Sequence, residues 1–322
     1  MKLLVAALLA VLVLSACQGS DGETHEADVI RVAYLPITHS AAVMMLPYVS
    51  AASDEFSIEL VRFTTWPEVV EALRSGHVEG ASLLFEVAVT AFQMGSPLAV
   101  VSLSHRDGNV LVVDNTVIDI HCLVGRTVAI PHTLSPHLTL LNKVLTEAGL
   151  SLDDINLVEI SPAEMPFSMA ARAISAYVVA EPWGSLAEQR GAGRILVDSR
   201  DIIPNSVCCL LVFSTDVLEA YEGLLDWLMY KFYVASLVTA AGSEAVVEEF
   251  RSITGFEREI INRSLANTNF YYLEFTRDDF DITVENVLRF GVLEDFPEFS
   301  DFVAVEPDAA LPIVSADPED YD

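Results

Sequence analysis

The chain has 322 residues, room for two lobes, and 52% of them are hydrophobic, enough for a large core and too many for a disordered protein. Its 17 basic residues face 47 acidic ones, a formal net charge of −30. That balance excludes most nucleic-acid binding, which needs clustered cations, and adsorption of the folded surface to anionic lipid.

Taken from its start, the chain opens on Lys2 and the apolar run 3–14, followed by Ser15-Ala16-Cys17. As a helix that run reaches only ~18 Å, short of the ~30 Å hydrocarbon core, so residues 1–16 read as a signal peptide and not as a span. Leu14-Ser15-Ala16-Cys17 resembles a bacterial lipobox. The resemblance implies that Cys17 is acylated and becomes the mature N-terminus, with 17–28 a lipidated polar tether; an ordinary cleavage site beside a chance cysteine is the alternative.

From residue 30 the pattern is strand, turn and helix, repeated. Strands are expected at 30–34, 56–63, 80–84, 98–103 and 110–113, with helices at 41–49, 66–74 and 87–94 and a turn at 105–108. Pro67 suits a first helical turn, where its missing N–H costs nothing. After a pause at 114–123 a second series begins. It places strands at 126–130, 155–160 and 176–180 and helices at 137–147 and 166–173, and a last strand follows at 207–213. Helices then dominate, at 217–241, 243–252, 257–266 and 277–290, before an acidic tail, 306–322. Alternating short strands and helices predict α/β modules with largely parallel sheets, which bind ligands beyond the carboxyl ends of their strands.

Once Cys17 is set aside, Cys122, Cys208 and Cys209 remain. Four cysteines in all are too few and too unevenly spaced for a disulfide framework or a paired CxxC zinc site. Cys208-Cys209 in an apolar strand read as two buried thiols; a strained disulfide or a metal pair stays open as the alternative. No metal and no cofactor is expected.

The segments Val32-Ala33-Tyr34-Leu35-Pro36-Ile37-Thr38-His39-Ser40, Trp66-Pro67-Glu68-Val69-Val70-Glu71-Ala72-Leu73, Gly125-Arg126-Thr127-Val128-Ala129-Ile130-Pro131, Val179-Ala180-Glu181-Pro182-Trp183 and Pro204-Asn205-Ser206-Val207-Cys208-Cys209-Leu210-Leu211-Val212 occur in order over about residues 30–303. Together they resemble the solute-binding proteins of ATP-binding-cassette importers for nitrate, bicarbonate, sulfonate, taurine and thiamine-pyrimidine precursors, nearest the nitrate/bicarbonate branch. The resemblance implies a two-lobed, type II periplasmic-binding-protein fold with a ligand cleft between the lobes. Lobe 1 would combine 29–113 with 215–322, and lobe 2 would be 118–211. Two departures fall on helix-to-strand turns: Ala173-Ile174-Ser175-Ala176 replaces a Gly-x-Ile/Val-Asp-Ala pattern, and Glu79 stands where Asp is usual.

Candidate ligand residues sit where strands end. Thr38, His39 and Ser40 start one helix and Thr133, Ser135 and His137 another, so one donor-rich helix start from each lobe can grip a small oxyanion. N-capping by the hydroxyls, and an exposed His137 without a ligand role, are the plain alternatives. Trp66 and Trp183 are candidate walls of the cleft, against ordinary packing. Glu181 would accept from an amino or ring N–H, or join a hinge-side salt bridge. His105 and Arg106 are candidate contacts, with a surface ion pair as the alternative.

The expected function is a non-enzymatic, exported receptor, lipid-anchored to the cell membrane. It would pass a small oxyanion or sulfonate-type solute to a permease and ATPase, and it is expected to be a monomer. Alternatives are import of a thiamine-pyrimidine-like heterocycle, a biosynthetic enzyme on the same fold and a ligand-sensing domain. No Ser-His-Asp, HExxH or Gly-rich phosphate motif favours the enzyme.

Overall fold

A computed structural model describes residues 27–51 and 53–304. The signal peptide 1–16, the acylated Cys17, the tether up to residue 26 and the tail 306–322 lie outside the described residues. Twelve strands follow one another: β1 Asp28–Tyr34, β2 Phe56–Arg62, β3 Gly80–Leu84, β4 Leu98–Leu103, β5 Arg106–Asp107, β6 Asn109–Asp114, β7 Thr127–Ile130, β8 Asn156–Glu159, β9 Ala176–Ala180, β10 Gly193–Asp198, β11 Cys209–Ser214 and β12 Thr268–Asn269.

Ten of them build two five-stranded sheets, one ordered β2-β1-β3-β11-β4 and the other β10-β6-β9-β7-β8, and β5 and β12 form a two-stranded sheet. In the first, β1 runs parallel to β2 and β3, and β11 lies antiparallel between β3 and β4. In the second, β7 runs parallel to β8 and β9, and β6 is antiparallel to β9 and β10. Read from β8, the second sheet repeats the order of the first. Each holds one antiparallel strand delivered by a segment that crosses between sheets. This is the expected two-lobed α/β architecture.

The strands β3, β4 and β9 are buried along their whole length, as a sheet covered on both faces requires. The helix Trp66–Arg74 begins with a capping box, Thr65 to Glu68, and has Pro67 in its first turn. Among the described residues no helix is long and apolar enough to cross a membrane.

Several elements differ from expectation. The helix expected at 41–49 is a 3-10 turn, Thr38–Ser40, and two short helices, Ala41–Met44 and Leu46–Val49. Pro47 has no N–H to continue the ladder. The long helix at 217–241 breaks into Thr215–Ala220 and Leu224–Ala241 at Gly223, whose φ of 80° only glycine adopts freely. The turn at 105–108 contains β5, which pairs antiparallel with β12. Strand β10 had no expected counterpart: its Arg194 and Asp198 mask a half-buried edge strand.

Candidate functional site

The two crossing segments meet at an antiparallel bridge between Arg106 and Val207, which forms the floor between the sheets. Strands β1, β3 and β4 end at this floor, so His39, Glu86 and His105 follow their carboxyl ends. Because β11 runs the other way, its beginning lies at the same edge, and Cys208 and Cys209 join them. The Cys208 carbonyl accepts from Phe85 N at 2.9 Å and the Cys209 carbonyl from Ser104 N at 2.9 Å, which fixes both thiols between β3 and β4. The second sheet answers with His137 after β7, Glu181 after β9 and Asn109 at the start of the antiparallel β6.

The lobes touch across this space. Thr38 N donates to Glu181 O at 2.8 Å, Thr139 Oγ1 to Glu86 Oε1 at 3.3 Å and Asn142 Nδ2 to Phe290 O at 2.8 Å.

His39, His105, Cys208 and Cys209 are each 0% exposed. One donor atom from each lies within 4.8 Å of the others. Cys209 Sγ is 3.8 Å from His39 Nδ1 and 3.9 Å from Cys208 Sγ. The rings of His39 and His105 stack with centroids 3.5 Å apart. Around them His39 Nε2, both nitrogens of His105 and of His137, both amide atoms of Asn109, Glu86 Oε2 and the Thr38 and Ser40 hydroxyls have no hydrogen-bond partner. Buried polar atoms without partners carry a desolvation cost, so such a concentration marks a place where something else supplies the contacts.

Burial governs the charge states. It pushes His137 down to about 4 and, with the stacked His105 ring, lowers His39, so both are neutral imidazoles with lone pairs to give. It pushes Glu86 up to about 8. For Cys208 burial opposes ionisation, but the Cys209 thiol and the His39, His105 and His137 rings outweigh it and bring the thiol well below its usual range. Burial and the Cys208 sulfur drive Cys209 the other way.

The expected site residues divide into two groups. Thr38, His39, Ser40, His105 and His137 come together in this chamber, and His137 is buried and not exposed. Trp66 is 2% exposed at a helix start with its Nε1 unpartnered; Trp183, also with a free Nε1, packs edge-on against Phe256 at 5.0 Å. The others are occupied. Thr133 is exposed and its hydroxyl and N–H both bind Glu159. Ser135 caps the helix Pro136–Glu147, accepting from Leu138 N and donating to His132 O. Glu181 accepts from Ser185 N, Ser185 Oγ and Asn267 Nδ2 at 2.9, 2.8 and 3.2 Å. Arg106 is 8% exposed and no surface group: it grips Asp279 bidentately at 2.6 and 2.9 Å and donates to the carbonyls of Tyr272 and Glu274.

Glu86 and Asn109 are not among the residues the sequence singles out, and the two cysteines read there as buried thiols, with a disulfide or a metal pair as the alternative. The one available signal was positional: each polar or thiol residue adjoins a continuous apolar strand at the end facing the other lobe. A cavity of about 490 Å³ opens beside the cluster, with Glu86, Arg106, Ser206, Val207 and Asp279 in its wall.

The profile of the NMT1-like family matches residues 23–239. The ligand-binding component of an ABC-type import system from Staphylococcus aureus, solved with zinc bound, is similar at 29% identity. The similarity covers 86% of this chain and 96% of that one, with a TM-score of 0.80. A nitrate import ATP-binding protein from Synechococcus elongatus is 29% identical over 54% of this chain, which spans only 29% of that protein. A putative aliphatic sulfonates-binding protein from Escherichia coli is 26% identical, over 64% of this chain and 65% of its own length.

Proposed function

The chain belongs to the NMT1-like family, and from that premise we propose that it is the extracytoplasmic solute receptor of an ATP-binding-cassette importer. It binds without catalysing, holds to the membrane through an acylated Cys17, and delivers one small solute to a permease driven by an ATPase. The observation that carries this reading is the chamber itself. Unpartnered buried polar groups from both sheets converge where the two lobes face each other, at the ligand-binding edge expected of such sheets.

The relatives named for nitrate and sulfonates make small oxyanions one class to test. The chamber favours another. Burial disfavours charge on His39 and His137, and Arg106 is committed to Asp279. Those two rings have lone pairs to give, and the guanidinium is already taken. A solute that accepts electron pairs suits it better than a bare anion, and the zinc in the Staphylococcus aureus relative supports that preference.

The test is a thermal-shift panel of nitrate, bicarbonate, taurine, alkanesulfonates and divalent metal ions. A specific solute raises the melting temperature with the logarithm of its concentration over Kd. That solute must then stimulate ATP hydrolysis by the permease and ATPase in proteoliposomes. A protein that no member of the panel stabilises would refute the receptor reading.

A further inference from the structure

We propose that His39, His105, Cys208 and Cys209 form a tetrahedral site for one soft or borderline transition-metal ion, of the class of Zn2+ or Co2+, and that this ion is the solute the cleft takes in. The inference rests on the reading of the cleft as the solute site, and names what fills it.

Geometry comes first. A tetrahedral ion with metal–sulfur bonds of ~2.3 Å and metal–nitrogen bonds of ~2.0 Å has ligand–ligand edges of about 3.3–3.8 Å. Two edges of this cluster measure 3.8 and 3.9 Å, and no donor pair exceeds 4.8 Å. The donors therefore need a contraction of no more than about 1.5 Å at any edge and almost none at those two. Their backbones are pinned: Cys208 and Cys209 by the bonds to Phe85 N and Ser104 N, His39 by the turn Thr38–Ser40.

Donor chemistry selects the ion. Two thiols and two imidazoles suit zinc, cobalt, ferrous iron and copper, whereas calcium and magnesium require oxygen ligands. His39 Nε2 and both nitrogens of His105, fully buried and unpartnered, are the independent sign that a ligand belongs here. A cavity adjoins the buried cluster, and its wall includes Val207, next to Cys208, and Glu86, whose Oε2 has no partner.

A closed site of four protein ligands can also be a structural staple. Staples serve small domains that lack a core. Here the cluster sits at the cleft floor, within a continuous apolar core that runs from Ile30 to Phe302 and draws residues from both sheets, so the fold does not need an ion for want of a core. Its position beside the cavity fits a captured ion.

The experiment uses the purified chain without a polyhistidine tag, stripped with a chelator and titrated with Co2+. The expected result is one equivalent bound, with intense visible bands of tetrahedral cobalt and thiolate-to-cobalt charge transfer in the near ultraviolet, displaced by Zn2+ and unaffected by Mg2+ or Ca2+. Cys208→Ser with Cys209→Ser should abolish the charge transfer. His105→Ala should weaken binding by at least about 100-fold, the upper end for losing an outer-shell partner. X-ray absorption of the zinc-loaded wild type should find sulfur at ~2.3 Å and nitrogen at ~2.0 Å, so the proposal stays testable even where a variant fails to fold.

Cobalt bound without charge transfer, or equally by the double serine variant, would assign the ion to the acidic surface and overturn the proposal. If metals fail while taurine or nitrate stabilises the same preparation, the receptor reading survives and this inference falls. If nothing binds, both fall.

Discussion

Replacing Arg106 by Gln separates a cleft residue that binds solute from one that holds the cleft together. Arg106 Nη1 and Nη2 meet Asp279 Oδ1 and Oδ2 at 2.6 and 2.9 Å, while Nε and Nη2 donate to the carbonyls of Tyr272 and Glu274 at 2.9 and 3.3 Å. The pair is 10% and 18% exposed at its side chains. Breaking a fully buried pair from one side costs about 3–5 kcal/mol; with this residual exposure the loss should be roughly 2–4 kcal/mol. For a chain of this size that lowers the melting midpoint by about 3–6 °C. Calorimetry supplies both the midpoint and, below it, the affinity for whichever solute the wild type binds. Arg106→Gln should lose stability and keep affinity within a few fold. A variant that melts like the wild type yet no longer binds would show the guanidinium to be a solute contact and refute the structural role.

The same pair sets a pH dependence. Burial tends to raise the Asp279 carboxyl, but Arg106 and the Thr276 hydroxyl outweigh it and hold it below its usual range. The stability it contributes is complete above the ordinary carboxylate pKa and is lost as pH falls through the depressed one, so wild type and Arg106→Gln should converge in stability under strong acid. Gly80→Ala places a Cβ 2.4 Å from the ring of Phe213, which is 0% exposed and has nowhere to move; denaturant titration should show a loss of about 1–3 kcal/mol. Gly108→Ala forces φ of 82° on a residue with a side chain, at about 1–3 kcal/mol, and sets its Cβ 3.0 Å from His39 Nε2. Cobalt titration of that variant should show weaker binding than Gly80→Ala does, since only Gly108 presses on the histidine.

The alternation of buried strands and helices was legible because each strand is a short apolar run closed by a polar turn, and that periodicity places His39, His105, His137 and Glu181 at strand ends. What the sequence withheld was commitment. Ser135, Thr133 and Glu181 carry the right atoms at the right ends, but their lone pairs and protons go to His132, Glu159, Ser185 and Asn267, partners up to 86 residues away. Arg106 is likewise paired with Asp279, 173 residues further on. No local pattern reveals that a donor is already taken. The buried acid Glu86 was hidden for the opposite reason: in the helix Phe85–Gln93 it reads as an ordinary polar residue of the first turn.

The vicinal cysteines show how topology changes the meaning of a pair of residues. In an isolated strand two neighbouring thiols face opposite sides of the sheet and read as packing. Cys208 lies just before β11 and Cys209 begins it, and β11 is inserted antiparallel between β3 and β4. That reversal carries both thiols to the edge where the parallel strands of the same sheet deliver His39 and His105. The corresponding reversed strand of the second sheet, β6, begins with Asn109, so the lobes share an order of strands but not a chemistry. All four proposed metal donors thus belong to one sheet edge, while the second lobe contributes His137 and Asn109 from across the cleft. An ion can be ligated before the lobes meet, and closure then adds contacts to an ion already held. Binding first and closing second is the sequence a receptor needs if closure is to report that its solute is aboard.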